Sequence, residues 1–251
     1  MQLIDTHCHL DDVLLDPDRD DVIERARLTG VEQIIVPAVK RSGWQKLADL
    51  TFQCPMVVPA YGLHPWYCDE HVQDDIDLLS TYLGAAKAVG ECGLDFGKGR
   101  ASEAEQLKWF RAQLELAHAL KLPVILHAYK SLDTVLCELR AFPDLRGVIH
   151  GFSGSQQQAE AAINQGLYLG IGGRITFPQS GRLQAIVKDM PLQHLLIETD
   201  APDQSGVNHQ GQRNEPAFLI EIANEIATMR DLEATELAAI CNHNARELFA
   251  I

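Results

Sequence analysis

The stretch SEAEQLKWFRAQLELAHALKLPVILH, Ser102–His127, carries the pattern on which the fold reading rests. Leu107, Phe110, Leu114 and Ala117 recur at spacings of three and four, which predicts a helix over Ser102–Leu120 with one apolar face. Pro123–His127 then forms a short apolar run that ends in an imidazole. Near-continuous apolarity over so few residues predicts a strand buried on both faces. Seven similar runs lie outward from it: Leu3–His9, Gln33–Pro37, Met56–His64, Ala88–Leu94, Gly147–Phe152, Leu167–Gly172 and Leu195–Asp200. The gaps are long enough for right-handed crossovers. Asp16-Pro17 reads as a helix start and Gly30 as its stop. Eight strands with helical crossovers predict an α/β chain folded as a closed (β/α)8 barrel, although an open doubly wound sheet fits the pattern alone. No linker or repeat divides the 251 residues, so residues 1–251 are expected to form a single barrel. Two closing helices, about Pro216–Met229 and Thr235–Phe249, are expected on its outside.

Composition narrows the class further. Hydrophobic residues are 46% and charged residues 22%, which is globular rather than disordered. The formal charge of −14 argues against holding nucleic acid on a broad basic surface, but leaves room for a small site that binds phosphate through metal ions. The six cysteines show no CxxC spacing, so neither a zinc knuckle nor a disulfide framework is indicated. No apolar run is long enough to span a membrane, and the N-terminus does not read as a signal peptide. A cytoplasmic protein is expected.

Polar residues that are costly to bury stand where the apolar runs end. His7 and His9 alternate in Asp5-Thr6-His7-Cys8-His9 and would share one side of a strand. Glu91, His127, His150 and Asp200 end four later strands. Each alone reads more readily as a hydrogen-bonded strand end or loop cap. A barrel gathers its strand ends into one ring, and there the six become a nitrogen and oxygen donor set suited to Zn²⁺, Mn²⁺, Ni²⁺ or, less well, Mg²⁺. Six ligands exceed one tetrahedral catalytic zinc and suit one or two ions, with Glu91 as the bridge between a pair. Such a site activates water and polarises a phosphoryl or carbonyl oxygen, with Asp200 as ligand and proton acceptor. Glu198 alternates with Asp200 and is expected to face inward, with Thr199 toward a helix. Cys8 and Cys92 are expected to be core thiols.

These motifs resemble the TatD-type metal-dependent hydrolases of the amidohydrolase superfamily. The resemblance rests on Ile4-Asp5-Thr6-His7-Cys8-His9, Gly62-Leu63-His64-Pro65, Gly90-Glu91-Cys92-Gly93-Leu94-Asp95, Leu122-Pro123-Val124-Ile125-Leu126-His127, His150-Gly151-Phe152-Ser153-Gly154, Glu198-Thr199-Asp200-Ala201-Pro202 and Arg213-Asn214-Glu215-Pro216, in that order along essentially the whole chain. It implies a TIM-like barrel, divalent ions and deoxyribonuclease activity. It also implies that His7, His9, Glu91, His127, His150 and Asp200 are the metal ligands. Two positions depart from the family pattern. His127-Ala128-Tyr129-Lys130 lacks the Arg common two residues after the His, and Asp203 follows Pro202 where many relatives have Tyr.

Substrate contacts are expected from His64, Arg174, Lys130 and Arg213, each with a structural alternative: a loop hydrogen bond for His64, a salt bridge for Arg174. Lys130 would act as a point charge where the family's Arg is missing. Trp66 is a candidate stacking platform. The reading is a metal-dependent phosphodiesterase acting on DNA or a short nucleotide. The alternatives are hydrolysis of an ester, amide or lactone in a small molecule or aminoacyl ester, and a metal-stabilised binding protein without turnover. Glu91 stands where amide-cleaving relatives carry a carboxylated Lys, which weighs against the amide reading.

Overall fold

The computed structural model describes residues 1–251. Eight strands run parallel in sequence order: β1 (Leu3–Asp5), β2 (Val31–Ala38), β3 (Val57–Tyr61), β4 (Ala88–Asp95), β5 (Val124–Tyr129), β6 (Gly147–Ile149), β7 (Tyr168–Ile171) and β8 (Leu195–Ile197). Between them lie α1 (Arg19–Leu28), α2 (Arg41–Gln53), α3 (Asp74–Tyr82), α4 (Glu103–Leu120), α5 (Leu132–Leu139), α6 (Gln156–Asn164) and α7 (Gly181–Asp189). Helices α8 (Leu219–Met229) and α9 (Ala234–Phe249) follow β8. The barrel closes at the β8–β1 seam, where the Thr6 N–H donates to the Ile197 carbonyl at 3.2 Å and the Asp200 N–H to the His7 carbonyl at 2.8 Å.

Alternation along the strands sorts side chains into two cores. Ile4, Ile35, Val58, Ala88, Ile125, Val148, Tyr168 and Leu196 fill the barrel interior, and Leu248 and Phe249 of α9 pack against them. The larger outer core lies between sheet and helices, with Trp44, Phe110 and Leu114 among its buried members. Each such large side chain contributes roughly 1.5–3 kcal/mol by burial. Helix α4 matches the expected segment: Ser102 Oγ accepts from the Glu105 N–H at 3.3 Å, and Lys121 ends the helix in the left-handed region. Its apolar face also carries two buried glutamines. Gln106 bridges the backbone N–H and carbonyl of Asp95, and Gln113 does the same for Leu63, so the helix fixes two strand ends at the mouth.

All eight strands form where expected, but several are shorter. The ladder ends at Asp5, Tyr61, Ile149 and Ile197, so His7, His9, His64, His150, Glu198 and Asp200 lie just past it. There the regular ladder gives way to single backbone bonds, such as the His64 N–H to the Val39 carbonyl at 2.8 Å and the His150 N–H to the Leu126 carbonyl at 3.1 Å. Helix α1 begins at Arg19 rather than at Asp16-Pro17, and a 3-10 turn over Pro216–Phe218 precedes α8. The loop after β8 is not wholly irregular: Val207–His209 makes a 3-10 turn.

Candidate metal centre

The inner-face alternation of the strands delivers the polar residues. Two residues beyond Ile125, Val148 and Leu196 stand His127, His150 and Glu198, on the same side but at the C-terminal mouth. Glu91 comes from β4 between two glycines. Gly93 has φ +141°, and a Cβ there would lie 2.1 Å from the His127 carbonyl oxygen, so only glycine lets β4 and β5 approach this closely.

Glu91 is the middle of the cluster, and its two oxygens face different partners. Oε2 lies 3.3 Å from Nε2 of both His7 and His9. Oε1 lies 2.7 Å from His150 Nε2, 2.9 Å from His127 Nδ1 and 3.2 Å from His64 Nε2. Asp200 Oδ1 sits 3.4 and 3.5 Å from His7 and His9 on the Oε2 side. Three groups have donor atoms within 4.8 Å of one another: His7, His150 and Asp200; His7, His9 and Glu91; His64, Glu91 and His127. All six expected residues therefore meet, and His64 joins them directly.

The donor set fits divalent cations. His7 and His9 point Nε2 at Nε2 across 3.3 Å, a pairing that a shared cation satisfies better than one hydrogen bond can. His7 Nδ1, His150 Nδ1 and Glu198 Oε2 are buried without partners. Burial pushes His7 well down and His64 down to about 4, which leaves both neutral with lone pairs available. Burial also opposes protonation of His9, His127 and His150, but the carboxylates outweigh it: His9 rises to about 9, and the other two rise as well. Burial opposes ionisation of Glu91 too, yet the imidazoles, His150 foremost, hold its carboxyl well below the usual range. Burial pushes Asp200 up to about 6 against the pull of His150 and His9. Cys8 and Cys92 are buried in the outer core and burial keeps both protonated, so the donors are nitrogen and oxygen alone.

A second layer orients these donors. Asp95 Oδ2 accepts from Trp66 Nε1 at 2.5 Å and lies 3.1 Å from His127 Nε2, while Oδ1 accepts from the Gly97 N–H at 2.7 Å. Asp95 follows Glu91 by four residues on one strand, an alternation that marks it in the sequence, yet it was not among the expected site residues. Gln204, from the loop over the mouth, donates to Asp200 Oδ2. Glu198 faces inward as expected, accepting from the Gly151 N–H at 2.5 Å in space left by Gly170. Thr199 does not face a helix. Its hydroxyl donates to the buried carboxylate of Asp5, because the seam there offers a desolvated acceptor.

The expected substrate contacts divide. Arg174 is exposed and lines a small cavity with Glu198, Asp200 and Gln204. Lys130 is exposed on a larger cavity of about 550 Å³ bounded by His150. Arg213 points elsewhere: both its terminal nitrogens bind Asp18 at 2.7 Å, and one also binds Glu215. Asp18, just before α1, and Glu215, just before the Pro216–Phe218 turn, hold it away from the mouth. Asn214 is structural as well, donating to the Thr199 and Asp203 carbonyls. Trp66 is half exposed, but the Arg100 guanidinium covers its ring at 4.0 Å.

A parallel barrel whose mouth collects imidazoles and carboxylates around one buried glutamate defines a metal-dependent hydrolase. The chain belongs to the TatD related DNase family, whose family model matches residues 4–250. It is 36% identical to YjjV of Escherichia coli K12, named an uncharacterized metal-dependent hydrolase, over all of this chain and 98% of that one. The crystal structure of the E. coli YjjV TatD homolog superposes with a TM-score of 0.92, covering 99% of this chain and 98% of that chain at 33% identity. The 3'-5' ssDNA/RNA exonuclease TatD of Salmonella typhimurium is 33% identical over 93% of this chain and 94% of its own. No helix is long and apolar enough to cross a membrane.

Proposed function

We propose that this chain hydrolyses phosphodiester bonds at the end of a single-stranded DNA or short nucleotide substrate, with one barrel spanning residues 1–251 as the working unit. His7, His9, Glu91, His127, His150 and Asp200 hold one or two divalent ions, with His64 beside them. The observation that carries the reading is the division of Glu91, one oxygen toward His7 and His9 and the other toward His64, His127 and His150, so that this one carboxylate would serve two ions and the imidazoles on either side would complete their donor sets. Zn²⁺, Mn²⁺ and Ni²⁺ suit this imidazole content better than Mg²⁺. Bound ions supply Lewis acidity to the phosphoryl oxygen and acidify water.

The protein's own groups do the rest. Asp200 Oδ1 faces the centre and takes the proton from the attacking water, while Gln204 holds Oδ2 in place. The Arg174 guanidinium, on the cavity that Asp200 also lines, steadies a non-bridging phosphate oxygen. The products are a phosphate monoester and a shortened strand. With a net charge of −14 and few cations at the mouth, affinity depends on metal more than on salt.

The test is cleavage of an end-labelled single-stranded oligonucleotide by purified protein. Excess chelator abolishes it, and Mn²⁺, Zn²⁺ or Mg²⁺ restores it. Unchanged cleavage in chelator overturns the reading.

A further inference from the structure

The cavity of about 550 Å³ between the β5–α5 and β6–α6 connections has no part in the chemistry described above, yet His150 forms part of its wall. Its size falls within the roughly 300–1,000 Å³ of small-ligand sites. Through His150 the cavity adjoins the candidate metal centre.

The lining distinguishes between kinds of occupant. Lys130 and Arg182 share the lining with Glu103 and Asp133, two cations with two carboxylates, so the cavity is not a track for further phosphates. It offers an aromatic wall instead. Tyr129 is 50% exposed and ends β5, where the strand holds its backbone: the Phe96 N–H donates to the Tyr129 carbonyl at 2.9 Å. Its ring lies so close to Gly97 that a Cβ there would be 3.4 Å from a ring carbon. An aromatic ring on a rigid strand end, half exposed and next to a phosphate site, matches a base-stacking platform. Trp66, the other exposed ring near the centre, has the Arg100 guanidinium on it at 4.0 Å, whereas the single cation near the Tyr129 ring, Lys130 Nζ, stands off at 5.3 Å. The Ser153 and Thr134 hydroxyls on the lining supply partners for a sugar or a base edge.

We infer that this cavity binds the nucleoside adjoining the scissile phosphate, with its base stacked on Tyr129. The inference rests on the phosphodiesterase reading above. It assigns the nucleoside site to the very position, Tyr129, where this chain departs from the family's usual Arg.

Calorimetric binding to the metal-loaded protein tests it, with inorganic phosphate, thymidine 5′-monophosphate and thymidine 3′-monophosphate as probes. Wild type binds the tighter nucleotide on the order of 10-fold more strongly than phosphate. Tyr129→Ala loses that gain, Tyr129→Phe keeps it, and phosphate affinity is equal in all three. A wild-type nucleotide affinity no better than that for phosphate, or a gain that survives Tyr129→Ala, overturns the nucleoside site. Phosphate binding without a nucleoside gain overturns this inference alone, whereas failure to bind phosphate at all overturns the phosphodiesterase reading with it.

Discussion

Thr199 Oγ1 donates to Asp5 Oδ2 at 2.6 Å, and the Thr199 N–H donates to Asp5 Oδ1 at 3.0 Å. This contact sews β8 to β1 at the barrel seam, two residues before His7 on one side and one before Asp200 on the other. Asp5 is fully buried and burial pushes its carboxyl up to about 8, so no water can replace a lost donor there. Thr199→Val removes the hydroxyl while keeping the shape. It should destabilise the fold by ~1–3 kcal/mol in urea unfolding and weaken metal binding, because His7, His9 and Asp200 lose their common anchor. Wild-type stability in this variant would show that the bond is dispensable.

Asp95 sets the ring of His127. With Nε2 against Asp95 Oδ2, His127 turns Nδ1 toward Glu91 Oε1 at 2.9 Å. Asp95→Asn should lower divalent-metal affinity by ~10–100-fold in a competitive chelator titration, as removal of an orienting carboxylate does. Circular dichroism of the metal-free protein reports separately whether the fold is intact. An unchanged affinity removes Asp95 from the centre's support.

Asp200 has φ +57°, in the left-handed region that asparagine tolerates better than most residues. Asp200→Asn is therefore a clean substitution for the backbone. It should reduce turnover by ~10²–10⁴-fold while metal analysis still finds bound ion. Full turnover with metal retained would assign the proton to another group.

Metal loading should be proton-coupled. His9, His127 and His150 are held protonated upward of the usual imidazole range by the surrounding carboxylates, whose effect exceeds that of burial. A cation takes the positions of those protons, so affinity rises with pH from 6 to 8, by roughly tenfold per unit for each proton released. Calorimetry in two buffers of different ionisation enthalpy counts the protons. A flat pH dependence would mean that the imidazoles are already neutral.

Arg213 is a structural tie with a predictable acid limit. Its bonds to Asp18 hold that carboxyl down at about 2. A depressed carboxylate stabilises above its unfolded value of about 4, and the contribution is lost as pH falls toward 2. Arg213→Ala should lower Tm by roughly 2–4 °C at pH 6, with the gap to wild type closing as pH falls below 4. Cleavage at pH 7 should be unaffected, and a loss of it there would return Arg213 to the mouth.

The barrel was legible because burial on both faces leaves an unbroken apolar run, and eight such runs recur with helical spacing between them. The six donors were legible because an imidazole or carboxylate ending a run like Val124–His127 has few bland uses once five others do the same. Gln106 and Gln113 were not legible. They sit on the face of α4 otherwise read as apolar, and their partners are the backbones of strands that sequence does not align. The sequence favoured a structural role at the Arg213-Asn214 helix start and left Arg174 even between phosphate and salt bridge, but only the approach of Asp18, just before α1, shows what Arg213 binds.

What the sequence by itself determined, then, was the repeat of strand and helix and the kinds of donor at the strand ends, since both follow from local period and residue chemistry. Tertiary structure alone decided the division of Glu91 between two sets of imidazoles, the turning of Thr199 to Asp5, the entry of His64 and Asp95, and the cavity beside Tyr129. Each of these depends on how far one strand end stands from another across the mouth, a distance set by barrel closure and by glycines such as Gly93 that let neighbouring strands approach.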